Sequence, residues 1–175
     1  MFTKFATIYD EIEDIITQVQ QGTLQLPKSN IDSFSWKRIQ LPTDFTYLIA
    51  SVSPLLAGDD YFINLDFTDL ITICHLNTDT KTCINGHIEL LEISCAKNDT
   101  SILKRALTQL PNQFDILLNI TGDLEPTDAM NLIELIKNYA ASDSNMILGV
   151  RFDENIVNRC NIQAVCYIPD SAKEA

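Results

Sequence analysis

The sequence predicts an α+β domain: a mixed sheet of four to five strands packed by helices. Three features predict it. Residues Phe114 to Ile168 read in order as strand, helix, strand, strand; apolar stripes at helical spacing recur upstream; and extended, β-branched stretches fill residues 81–96. Composition agrees. A hydrophobic share of 46% over 175 residues is ample for a packed core, and 21% charged residues is ordinary for a folded domain.

Phe2, Phe5, Ile8, Ile12, Ile15 and Val19 recur every three or four residues with acids between them, an amphipathic helix ending near Gly22. Residues 23–42 lie between turn signals, with Pro27 and Pro42, and read as a connector holding a short strand around Trp36 to Leu41. Trp36 is expected to anchor in a groove. Phe45, Leu48, Ile49, Val52, Leu55 and Leu56 make a second helical stripe, with Thr43 or Asp44 as cap and Gly58 as stop. Pro54 removes one backbone donor and is expected to kink or shorten that helix. A third helix is expected from Phe67 to Leu76, and Asn85-Gly86 is a two-residue turn of the hairpin type.

A helix starting at Asp99 or Thr100 carries Ile102, Leu103, Ala106, Leu107 and Leu110, and Pro111 ends it. Phe114 to Ile120 is apolar almost throughout, which suits a strand buried on both faces. Helix 127–141 opens at Pro126 and Thr127, with Met130, Leu132, Ile133, Leu135 and Ile136 as its apolar face. Strands 145–152 and 160–168 follow. The expected organisation is an N-terminal helix and connector over 1–42, a principal domain over 43–168 and a frayed tail over 169–175.

The formal net charge of −12 argues against nucleic acid and anionic membranes as partners, since both would be repelled. No apolar run approaches the roughly 18 residues that a spanning helix needs. Asp10, Glu11, Glu13 and Asp14 stand where a signal peptide would be apolar, so a cytoplasmic location is expected, and Glu11, Glu13 and Asp14 read as a solvated helix face. Cys74, Cys83, Cys95, Cys160 and Cys166 are odd in number and without CxxC spacing, which fits free thiols in a reducing compartment. Cys74-His75 and Cys83 with His87 are close in sequence, but helical i,i+4 spacing is not available in an extended stretch, and no metal is expected. His75 and His87 stand beside no Ser or Cys nucleophile signature and read as ordinary histidines.

Four local signatures occur in order: Ile63-Asn64-Leu65-Asp66-Phe67-Thr68-Asp69; Asn119-Ile120-Thr121-Gly122; Met146-Ile147-Leu148-Gly149 with Phe152-Asp153-Glu154; and the closing run Ile162 to Ile168. In this order, over about residues 60–168, the chain resembles the C-terminal domain of FtsZ, the tubulin-like division GTPase. The resemblance implies a two-layer sandwich. It departs from the family in four ways. The five glycines form no cluster, so nothing corresponds to the glycine-rich phosphate loop of the GTP-binding domain; Tyr61 replaces a glycine usual before the catalytic loop; the stripe at 45–56 would be a shortened relic of the helix joining the two domains; and the linker and terminal peptide that recruit membrane anchors have no counterpart.

In that family one subunit holds GTP and the next supplies the Asn-x-Asp-x-x-Asp loop, whose carboxylates position water for attack on the terminal phosphate. The matching residues here are Asn64, Asp66 and Asp69. The resemblance therefore implies no enzyme on its own and no cofactor, with Asp66 and Asp69 at most presented in trans to a partner GTPase. Beside this stands a structural alternative, in which the same residues cap the helix that follows. The expected partner is FtsZ or another tubulin-like protein, or a second copy of the chain, with the chain capping or regulating filament assembly in cell division. A self-associating scaffold unconnected with division is the alternative. A small-molecule enzyme is disfavoured by the lack of a convergent Arg cluster or acid–base pair.

Overall fold

The computed structural model describes residues 7–25, 33–56 and 66–172. Its helices are α1 (Ile8–Gln20), α2 (Phe45–Leu56), α3 (Phe67–Ile73), α4 (Ser101–Leu107) and α5 (Pro126–Lys137). Its strands are β1 (Ser33–Ile39), β2 (Leu76–Asn77), β3 (Thr82–Cys83), β4 (Gly86–Ala96), β5 (Asp115–Gly122), β6 (Met146–Phe152) and β7 (Arg159–Pro169). Five strands form one mixed sheet in the order β1-β4-β7-β5-β6, and β2 and β3 make a separate ribbon. Only β5 and β6 run parallel, as the intervening α5 crossover requires; the other neighbours are antiparallel.

Alternation along the strands divides the core in two. Ile116, Leu118 and Ile120 of β5, with Ile162, Ala164 and Cys166 of β7, face α4 and α5. Leu117 and Val165 point the other way, against α1, α2 and α3. Because both faces are apolar, both must be covered. The two layers implied by the resemblance are therefore joined by a third, and α–β–α layering carries a separate core on each face. The segments on either side of residue 42 share this framework: β1 pairs along β4 from Ser33↔Ser94 to Ile39↔Ile88, and α1 packs on α2.

Several elements differ from their sequence expectation. α1 begins at Ile8, where Thr7 and Asp10 form a capping box, and Phe2 and Phe5 lie outside the described residues. The α2 backbone stays helical through Pro54 to Leu56, and Gly58 lies outside the described residues. α3 stops at Ile73, so Leu76 belongs to β2. Asn85-Gly86 closes no hairpin, because β3 pairs with β2 while β4 pairs with β1 and β7. Glycine at 86 answers to a close approach instead: a Cβ there would lie 2.5 Å from the Tyr167 ring and 2.6 Å from the Ile168 carbonyl oxygen. α5 ends at Lys137, and its buried face is Ala129, Leu132, Ile133 and Ile136, leaving Met130 54% exposed. Trp36 is anchored as expected, its indole N–H donating to the Ala106 carbonyl at 3.3 Å. Pro169 closes β7, and the Asp170 amide donates to the Asn85 carbonyl.

Candidate functional site

Of the residues singled out by the sequence, Asp66 and Asp69 sit at the start of α3. Asn64 lies outside the described residues. Asp66 is the N-cap of α3, with extended φ and ψ of −127° and 176°. The Asp69 amide donates to Asp66 Oδ1 at 3.0 Å, and the Asp66 amide donates to Asp69 Oδ2 at 2.9 Å. This is a reciprocal capping box with aspartate in both places, satisfying two amides that helix geometry leaves without partners. The structural alternative is thus realised in the geometry, and it does not exhaust these side chains. Each carboxylate uses one oxygen in the box, and among the described residues Asp66 Oδ2 and Asp69 Oδ1 have no other partner. Asp66 is exposed and Asp69 half-buried.

What holds this pair in place is the opposite face of α3. Leu70 and Ile73 are buried in the core that Leu117 and Val165 share, and α3 packs against β5 and β6. The helix is only seven residues long, too short to be stable alone, so its position comes from tertiary packing and its entry from the cap. The arrangement presents two carboxylates, three residues apart on the first turn, on a backbone that cannot readily rotate. Chemically it can accept hydrogen bonds, attract a cation or orient a water molecule.

A second polar cluster, not anticipated from sequence, lies beyond the other end of α3. His75 adopts φ of 47°, a left-handed conformation costing a non-glycine residue about 1–2 kcal/mol. This turn brings its Nε2 to 2.9 Å from Asp115 Oδ2 at the start of β5. The other Asp115 oxygen accepts from the Asn145 amide at 2.8 Å and from Asn145 Nδ2 at 3.3 Å. The His75 ring lies against Tyr167, with centroids 4.1 Å apart and planes tilted by 31°. His75 joins this network, and His87 Nε2 lies 3.4 Å from Glu89 Oε1. The only sequence signal for the cluster would have been the opening Asp115 of an otherwise apolar strand. Its partner His75 is forty residues away and carries no motif.

The cysteines fall into two neighbourhoods, Cys74 with Cys83 and Cys166 in one and Cys95 with Cys160 in the other. Cys83 Sγ donates to the Cys74 carbonyl at 3.1 Å, and Cys95 and Cys160 lie side by side on β4 and β7 with sulfurs 3.5 Å apart. Burial pushes the Cys74 and Cys166 thiols up and raises Cys83 to about 11; the neighbouring Cys95, then burial, raise Cys160. All are weak nucleophiles near neutrality. Among the described residues no three His, Cys, Asp or Glu side chains gather as a metal site, and no helix is long and apolar enough to cross a membrane.

The fold and this site define an α+β domain in which a mixed five-stranded sheet carries a short helix capped by two carboxylates. Among solved structures the chain is similar to an empty FtsZ dimer from M. jannaschii, with a TM-score of 0.47 and 17% identity, covering 74% of this chain and 40% of that one. It is also similar to a tryptophan-to-tyrosine mutant of FtsZ from the same organism, with a TM-score of 0.47 and 20% identity, covering 75% of this chain and 43% of that one. The chain therefore spans less than half the length of these FtsZ chains. No family model matches it.

Proposed function

We propose that this chain is a non-enzymatic, FtsZ-like module of the cytoplasm that binds a tubulin-like filament subunit and caps or regulates its assembly in cell division. The observation that carries the proposal is the Asp66–Asp69 pair, in a stretch that resembles the FtsZ catalytic loop, held by its reciprocal hydrogen bonds with one oxygen of each carboxylate outside the box. On this reading the α3 end of the domain docks on the nucleotide face of a GTP-bearing subunit. The five glycines of these 175 residues are dispersed and form no phosphate-cradling cluster, so on this reading a filament end occupied by this domain is not extended through it.

The test is GTP turnover and light scattering of FtsZ from the same cell, with and without this protein, alongside Asp66→Asn and Asp69→Asn. Asparagine keeps an acceptor for the cap while removing the charge. The expected result is altered assembly with the unmodified chain, and a loss of that effect in both variants. No effect at stoichiometric excess would defeat the proposal and leave self-association, read by light scattering of the chain alone, as the function to pursue. An undiminished effect in the variants would remove the contact from this pair.

A further inference from the structure

Separate from the α3 cap, a cleft of about 240 Å³ opens where β5 and β6 begin and β7 ends. Its volume is below the roughly 300–1,000 Å³ of sites for drug-sized ligands, so it suits a group the size of one side chain. His75, Asp115, Asp143, Ser144, Asn145 and Tyr167 line it, and among the described residues no lysine or arginine does. Two carboxylates thus line a concavity with no fixed cation among the described residues. Asp143 is exposed and makes no ion pair among the described residues.

The remaining lining is built and rigid. Asp115 is held by His75 and by two donors of Asn145. The Tyr167 hydroxyl donates to the Ile84 carbonyl at 2.6 Å, which fixes the ring that His75 lies against. Burial first, then coupling to Cys83 and the carboxylates of Asp170 and Asp115, hold the Tyr167 phenol above its ordinary value. Ser144 is half-buried, and its Oγ has no hydrogen-bond partner among the described residues.

A ligand that answers all of these features carries positive charge, a planar face and several donors at its edges. A guanidinium meets the three conditions: it pairs with carboxylates, packs against aromatic rings and can donate to a hydroxyl oxygen. An ammonium supplies the charge but no plane. We propose that this cleft binds a guanidinium group, delivered either by a free guanidino compound such as arginine or by an arginine side chain of a partner protein.

Amide NMR of the full chain tests this, with separate titrations of arginine, N-acetyl-Gly-Arg-Gly-amide, lysine and citrulline. Saturable shifts at Asp115, Ser144 and Asn145 are expected with the guanidinium probes, with dissociation constants on the order of 1 mM. Asp143→Asn, a change in an exposed loop, is expected to weaken them several-fold while leaving the rest of the spectrum in place. Tighter binding of the blocked peptide assigns the site to a partner's side chain; tighter binding of free arginine assigns it to a small molecule. Equal shifts with citrulline, which has the shape without the charge, would overturn the proposal. So would lysine matching arginine, an unchanged affinity in Asp143→Asn, or no saturation by the order of 10 mM.

Discussion

Replacing Asp66 separates what the cap does for the fold from what its charge does for a partner. Asp66→Ala deletes the acceptor that the Asp69 amide reaches at 3.0 Å. Losing an N-cap typically costs about 1 kcal/mol, within a range of roughly 0.5–2. Here the lower half of that range applies, because Asp66 is exposed and water can reach the freed amide. The helix does not melt, since Leu70 and Ile73 stay anchored in the core. For a domain of this size, 1 kcal/mol lowers Tm by about 2–4 °C. Asp66→Asn keeps an acceptor and loses only the charge–dipole interaction, which at an exposed terminus is worth about 0.3 kcal/mol. Urea denaturation followed by the fluorescence of Trp36, the single tryptophan, measures both variants. The expected order is Ala well below Asn, with Asn close to the unmodified chain. Equal losses in the two variants, or a loss above about 3 kcal/mol in either, would refute the capping account. The filament assay then acquires its meaning, because Asp66→Asn is a folded protein that differs at this site by one charge.

Gly122→Ala places a Cβ 2.4 Å from the Arg159 carbonyl oxygen and 2.8 Å from Cys160 Cα, both backbone atoms of the central strand β7. It is expected to cost at least the upper part of the roughly 1–3 kcal/mol seen for overpacking. Gly22→Ala meets nothing within 4 Å and incurs only the strain of φ 72°, about 1–2 kcal/mol. A denaturation experiment that ranks the two the other way would remove the close-approach explanation of Gly122. The cysteines should resist a thiol-specific reagent in the native state at pH 8, with half-buried Cys83 reacting first and all five reacting in denaturant. Cys83 is raised from 9.0 to about 11 by burial, so the unfolded chain loses that proton at lower pH than the folded one. Its contribution to stability is therefore complete below pH 9 and declines as pH rises through 11. Urea midpoints that do not fall across that window would contradict the burial of this thiol.

Much of the fold was legible because its signals are local. The stripe Ile8, Ile12, Ile15 repeats within each turn of α1, and the apolar run of β5 announces a strand enclosed on both faces. The errors fell where a local signal had two tertiary outcomes. Asn85-Gly86 has hairpin chemistry, yet its strands found other neighbours, and glycine there makes room for the Tyr167 ring. Met130 continues an apolar stripe but lies outside the arc of α5 that reaches the sheet. The third layer was missed because amphipathicity says that a helix must bury one face, not which face of a sheet will receive it.

The sequence by itself determined the α+β class, the strand–helix–strand–strand order of the second half and the two aspartates at the head of α3. Each depends on residues within one or two turns, where spacing and hydrogen-bonding chemistry act directly. Only the tertiary structure decided that His75, Asp115 and Tyr167 would meet. Their contact joins the end of a helix, the start of one strand and the end of another, with a left-handed turn at His75 completing the approach. Such a meeting depends on how the sheet is ordered and how the core beneath it closes, and no short stretch of chain carries that information.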